Sequence, residues 1–284
     1  PSAPLPVTPA PPVRPTHQGT WPPALWHRVA AALTVAGLTG AVAGYLVLRR
    51  GYLDLYILNK SLATAAVAAL GLVLLIGPFS RYFQRFDFLV AYRKFFGIGA
   101  FWAAVLHVAL SLFFLPDHFK LSRFFGQVNI PFYFGLGATA VLLVLYALSY
   151  DRLIGQMDRR RWWHVHNWGV RVATLLAFLH LVVMKYPGWL KWWAQGGNSE
   201  LVRQYLPPAS LIGALFLAYV IGVRFSELLG SRRGARFIQI LAVVWVVATL
   251  GLFVRGAGLS PTQKTPTAEE CAKFSAAARA VRCP

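Results

Sequence analysis

The sequence predicts an all-α protein, a polytopic membrane helix bundle of seven spans, and three observations carry that expectation. The chain is 57% hydrophobic and 13% charged, with a mean hydropathy of +0.54; a soluble domain carries about twice that charge fraction. Apolar runs of roughly 17–25 residues, the length that crosses about 30 Å of hydrocarbon, recur along it. Basic residues stand at nearly every break between those runs. A large soluble core is also apolar, but it does not repeat this length with this punctuation.

In chain order, residues 1–23 are rich in proline without periodicity and are expected to form a disordered tail. They lack the charged-then-apolar order of a signal peptide. The apolar runs then predict helices over Leu25–Leu48, Leu62–Phe79, Phe95–Leu115, Pro131–Tyr150, His166–Met184, Ala209–Val223 and Phe237–Val254. The sixth is the shortest. Beyond Arg255 the chain turns polar, and the alanine-rich stretch between Glu269 and Pro284 has the composition of a short helix. The expected division is a tail (1–23), a transmembrane core (24–225), one additional span with its preceding loop (226–256) and a cysteine-bearing tail (257–284).

A net charge of +19 would point to nucleic acid in a soluble protein. Here the cations sit in short connections between spans, where they set membrane topology, so no nucleic-acid partner is expected and the lipid bilayer is. The connections after the second, fourth and sixth helices hold Arg81, Arg85, Arg93 and Lys94; Arg152, Arg159, Arg160 and Arg161; and Arg224, Arg232, Arg233 and Arg236. Those after the first, third and fifth hold Arg49, Arg50 and Lys60; Lys120 and Arg123; and Lys185, Lys191 and Arg203. The heavier set marks the cytoplasmic side. The N-terminus is then cytoplasmic and the C-terminus lies across the membrane, the periplasmic side of a bacterial inner membrane. Cys271 and Cys283, both in the C-terminal tail, fall in the oxidising compartment, where they are expected to bridge a small helical hairpin as a structural disulfide. No CxxC, CxxCH or Cys/His zinc spacing occurs, so iron–sulfur, c-type haem and structural zinc have no support.

Intramembrane ionisable residues are costly and mark function. His17, His27 and His118 lie in the tail, at the start of the first helix and in a loop, and read as solvated or interfacial. His107 and His180 each lie deep inside an apolar run. His107 is fourteen residues after Arg93 and His180 fourteen after His166, which sets both about 21 Å along helices running the same way. Two imidazoles at equal depth on parallel helices can ligate one haem iron from opposite faces. Fourteen residues is also nearly four turns, so Arg93 shares the face of His107 and His166 that of His180. His164 falls on the opposite face. An inner, second haem would thus have His166 with only Arg93 across from it, and arginine answers a propionate or a lipid phosphate rather than iron.

At these residues the sequence resembles the ferric reductase-like transmembrane domain family, in particular its MsrQ-like branch, the haem-bearing membrane subunits of periplasmic methionine sulfoxide reductase systems. The segments that carry the resemblance are Arg93-Lys94-Phe95-Phe96-Gly97-Ile98 with Leu106-His107, Trp162-Trp163-His164-Val165-His166 with Leu179-His180, and Leu75-Ile76-Gly77-Pro78. It spans about residues 60 to 225. The resemblance implies a six-helix ferric reductase-like core plus one additional C-terminal helix. It also implies b-type haem held by His107 and His180 as axial ligands, one haem or two, with His166 at a further histidine position and Arg93 at the arginine of the MsrQ-like branch. FMN or a quinone is a further cofactor candidate. His166 and His180 are fourteen apart where the family's histidines are usually thirteen apart, and Asn167 stands where an arginine often follows.

The function expected on this reading is electron transfer across the membrane, by a ferric reductase-like oxidoreductase or an electron-transfer subunit of one. Electrons come from quinol or a cytosolic flavin reductase and leave to a periplasmic partner reductase or ferric iron. No GxGxxG sequence occurs, so an NADPH-oxidising domain is expected to be a separate protein. The alternative class is a non-redox multi-pass protein, a transporter or haem-handling assembly factor. The two halves show no convincing repeat and the spans hold no acid, which weakens the transporter reading.

Overall fold

A computed structural model describes residues 23–116, 119–120, 122, 129–150, 158–197, 201–259, 267–272 and 276–283. Among them the chain forms helices and no strand: α1 (Pro23–Arg50), α2 (Leu55–Tyr82), α3 (Arg93–Ala109), α4 (Ile130–Ala147), α5 (Arg159–Gln195), α6 (Ala209–Phe225), α7 (Ser231–Ala257), and the short α8 (Ala268–Ala272) and α9 (Ala276–Arg282). A 3-10 stretch, Gln84–Tyr92, leads into α3, and a π turn, Leu110–Phe114, follows it. The helices α1 to α7, with these extensions, supply seven segments long and apolar enough to cross a membrane. The protein is an all-α, multi-pass membrane protein.

Side-chain placement fits lipid as the solvent. Large apolar side chains face outward, among them Leu33, Phe113, Val247 and Val254. The interior is built from small residues, with Ala65, Ala69, Ala100 and Ala173 fully buried. Where lipid tails are as apolar as leucine, small residues let helix backbones approach and gain contact.

Four helices form a closed ring. α2 packs on α3, α3 on α4, α4 on α5, and α5 back on α2. α3 and α5 therefore stand across the ring from one another, as do α2 and α4. α1 covers α2 and α3, α6 packs on α2 and α5, and α7 lies outside α6. The alternation of direction gives the bundle two distinct ends. One holds the start of α1, where the His27 ring meets Tyr92 edge-on at 4.6 Å, and the starts of α3 and α5. The other holds the start of α2, where Tyr45 at the end of α1 donates its hydroxyl to the Pro207 carbonyl at 2.6 Å.

Two helices run further than their apolar cores suggest. α2 begins at Leu55, seven residues before the expected Leu62, because the Asp54 side chain accepts from the Ile57 amide at 2.7 Å and caps it. Asn59 and Lys60 thus lie within a helix rather than a connection. α5 spans 37 residues against the expected His166–Met184. Asp158 caps it at Arg161, and tryptophans at both flanks (Trp162, Trp163, Trp189, Trp192 and Trp193) suit the membrane interface. Arg159, Arg160, Arg161, Lys185 and Lys191 are accordingly helical.

Pro78 inside α2 cannot donate to Leu74, four residues back. The orphaned Leu74 carbonyl instead accepts from Arg224 of α6 at 3.3 Å. Arg224 also pairs with Glu227 at 2.9 Å, and Glu227 with Arg171 of α5 at 2.8 Å. This network ties α2, α5 and α6 at the end where α5 begins.

The predicted disulfide is present, joining Cys271 to Cys283 with Cα atoms 6.0 Å apart and closing α8 and α9 into a hairpin. Val281 of that hairpin lies against Gly51, whose φ of +88° turns the chain between α1 and α2. The C-terminal hairpin and the start of α1 therefore occupy opposite ends of the bundle. His17, His118 and nearly all of the proline-rich tail lie outside the described residues.

Candidate functional site

His107 stands at the end of α3 and His180 in the middle of α5, the two helices that face each other across the ring. Both imidazoles are half-buried and lie within electrostatic reach of one another. Each is held by a different helix of the ring. His107 Nδ1 donates to the Asn59 side-chain Oδ1 of α2 at 2.8 Å, with the Asn59 carbonyl at 3.2 Å. His180 Nδ1 donates to the Pro131 carbonyl of α4 at 2.6 Å.

The acceptors decide the tautomer. A carbonyl oxygen has no proton to give, so each Nδ1 carries the hydrogen and each Nε2 keeps its lone pair. Among the described residues no hydrogen bond engages Nε2 of either ring. An imidazole whose Nδ1–H is tied to an oxygen and whose Nε2 is free is the form in which histidine binds a metal, and the acceptor fixes both ring orientation and basicity.

The supports are themselves supported. Asn59 donates through Nδ2 to Ser111 Oγ at 2.9 Å, and Ser111 donates to the His107 carbonyl at 2.8 Å. Asn59 is fully buried, so this chain fixes which way its amide faces. Ser111 belongs to the π turn after His107; such turns recur at functional sites. On α4, Asn129 caps the Phe132 amide at 3.2 Å, setting where the helix begins and where the Pro131 carbonyl points. Gly135 completes the fit, because a Cβ there would lie 2.9 Å from His180 Nδ1.

Among the described residues no group of three or more His, Cys, Asp or Glu gathers to hold a bare metal ion. Two imidazoles with free Nε2 atoms, on helices that stand across the ring from one another, instead fit a prosthetic group that brings its own equatorial donors and needs only two axial ones. Haem b is such a group, and the donor chemistry of His107 and His180 fits it.

His166, nearly four turns away on α5, is built differently. Its Nδ1 meets the Trp162 carbonyl of its own helix at 3.3 Å, its Nε2 meets Ser149 Oγ at 3.4 Å, and its ring lies over Trp162 at 4.2 Å. Each nitrogen thus faces an oxygen at long distance, and the Ser149 hydroxyl proton is already given to the Leu145 carbonyl at 2.7 Å. Arg93 lies near it, in reach of Glu227 and Arg171. His164 is exposed on the other face. Beside Ser149 runs a groove of about 740 Å3 between α1, α3 and the end of α4, with Arg28, Lys94, Tyr146 and Tyr150 at its polar end and Val35 and Leu106 along its apolar length.

Sequence reasoning singled out the four site residues but missed Asn59, Ser111, Pro131 and Gly135. The Asp54 cap three residues before Ile57 was the one local signal that would have drawn Asn59 into a helix. No family model matches the chain, and no curated protein matches it.

Proposed function

We propose that this protein carries b-type haem between His107 and His180 and moves electrons across a bacterial inner membrane, as a ferric reductase-like membrane protein of the MsrQ-like kind. The observation that carries the reading is the pair of locked tautomers, two Nδ1 protons committed to carbonyl oxygens from α2 and α4. The two Nε2 atoms they leave free stand on helices that face each other. Packing alone would not need both histidines to leave Nε2 free on helices that face each other.

Bound haem supplies a one-electron couple within the low dielectric of the bundle. The chain's own residues do the rest. Asn59 and Pro131 hold the proton on Nδ1 of each ring. Gly135 lets α4 approach His180, and the apolar shell of α3 and α5 excludes water.

The bias of basic residues puts the His166 end in the cytoplasm and the His180 end, with the C-terminal hairpin, in the periplasm. Electrons then enter at the His166 end, from quinol or a cytosolic flavin reductase, and leave at the His180 end to a partner reductase or ferric iron. The groove beside Ser149, apolar along its length and polar at its end, supports a quinol as donor. One haem per chain is the reading favoured by the contrast between the two levels of α5.

The test is an absorption spectrum of the purified full chain. Dithionite reduction is expected to give the sharp α and Soret bands of low-spin haem b. Their absence from protein made with ample haem would sink the redox reading and return the chain to the transporter or assembly-factor class.

A further inference from the structure

The His180 end of the ring gathers more cations than acids among the described residues. Lys60 on α2 places its ammonium 3.8 Å from the Tyr56 ring centroid, and the Arg50 guanidinium approaches the same ring at 5.4 Å. Arg50 also donates to the Tyr52 hydroxyl at 3.0 Å. Lys185 on α5 makes no hydrogen bond or ion pair among the described residues, and it lies within electrostatic reach of Arg50, Lys60, His107 and His180. Asp54 is the described acid in reach of Lys60, and its Oδ1 is engaged in capping α2. At the other end Arg171 and Arg224 do have a carboxylate, Glu227.

Half-buried cations that outnumber their counter-charges are unfavourable inside a membrane protein. Lys185 lies five residues beyond His180, about 7.5 Å further along α5. Lys60 follows Asn59, the residue that holds His107. Lys185 is also turned about 140° around α5 from His180, and the Lys60 ammonium reaches back over Tyr56, one turn towards the same end of the ring. A porphyrin of the b type carries two carboxylate arms on one edge, within arm's reach of its centre.

We propose that Lys60 and Lys185, backed by Arg50, form a carboxylate site that receives the propionates of the haem held by His107 and His180. The acidic edge of the porphyrin then faces the His180 end. This inference rests on the haem reading above. It gives the propionate role to these lysines rather than to Arg93, which sits at the other end beside Glu227.

The experiment uses the purified full chain and the variants Lys60→Gln, Lys185→Gln, their combination, and Lys60→Arg with Lys185→Arg as charge-keeping controls. Haem retention, the midpoint potential, and relative binding of haem and haem dimethyl ester to apoprotein are measured. Each glutamine is expected to weaken haem retention by about tenfold, the scale of one charge-assisted hydrogen bond. It should also lower the potential, because a lost positive charge disfavours the electron-rich form. Wild type should prefer haem over its dimethyl ester, the double glutamine variant should not, and the arginine variants should behave as wild type.

A wild-type haem spectrum, with variants that match wild type in retention, potential and ester preference, overturns the propionate site and leaves the haem reading standing. A wild-type protein without low-spin haem overturns both. Variants that keep every haem property but lose affinity for ferric citrate overturn the propionate assignment in favour of a free carboxylate chelate.

Discussion

The two histidine levels of α5 share a helix and differ in everything that touches the ring. At His180 and its counterpart His107, each Nδ1 proton is fixed by an oxygen from another helix at 2.6–2.8 Å. At His166 one contact comes from its own helix and both run to 3.3–3.4 Å. The first pair is oriented by tertiary structure and presents free lone pairs. The second is a histidine loosely tied to a helix end, opposite an arginine that cannot ligate iron. The difference teaches that depth inside an apolar helix marks a histidine as costly, while the partner on Nδ1 reports what it is for.

The largest test of that contrast is Asn59→Leu. It removes the side-chain acceptor of His107 and leaves Ser111 without its donor, so haem affinity is expected to fall by about 10- to 100-fold, the usual cost of losing the partner of a metal-ligating histidine. Competitive transfer of haem to apomyoglobin measures it. An unchanged transfer rate would break the link between tautomer and binding.

Gly135→Ala should come next. The new Cβ would press on His180 Nδ1 at 2.9 Å, and overpacking of this kind costs about 1–3 kcal/mol. Lower thermal stability together with a broadened low-spin spectrum is expected, whereas Gly37→Ala, which meets open space, serves as the silent control.

Arg224→Met probes the scaffold away from the histidines. It strips the donor from Leu74 and one partner from Glu227, a loss of about 1–3 kcal/mol read from thermal unfolding in detergent. Adding Pro78→Ala restores an amide to Leu74 and should recover part of the loss, a rescue that a purely electrostatic role for Arg224 would not show.

The smallest effect belongs to Ser149→Ala, which removes the 3.4 Å contact of His166. Stability should change by no more than about 0.5 kcal/mol, with haem retention unaltered. A clear loss of haem would promote the His166 level to a site.

Much of the fold was legible because membrane spans announce themselves by length and hydropathy, and all seven expected spans are present. His107 and His180 were legible for a related reason, as ionisable residues in runs of leucine and valine. Their supports were hidden by the same rule. Asn59, Lys60 and Ser61 interrupt the apolar run, so α2 seemed to begin after them, although Asp54 caps it before them. Pro131 and Gly135 act through a backbone carbonyl and a missing Cβ, properties that appear only once α4 lies against α5. Lys185 looked like a loop cation because hydropathy ends near Met184, while the helix continues through an interfacial, tryptophan-rich turn.

The central claim, that the opposed pair holds one haem and His166 holds none, is tested most directly by the haem-to-chain ratio, measured by pyridine haemochrome assay on wild type, His107→Ala, His180→Ala and His166→Ala. The account predicts about one haem per chain in wild type and in His166→Ala, and almost none in the other two. A ratio near two in wild type that halves in His166→Ala, or full haem retention in His180→Ala, would contradict it.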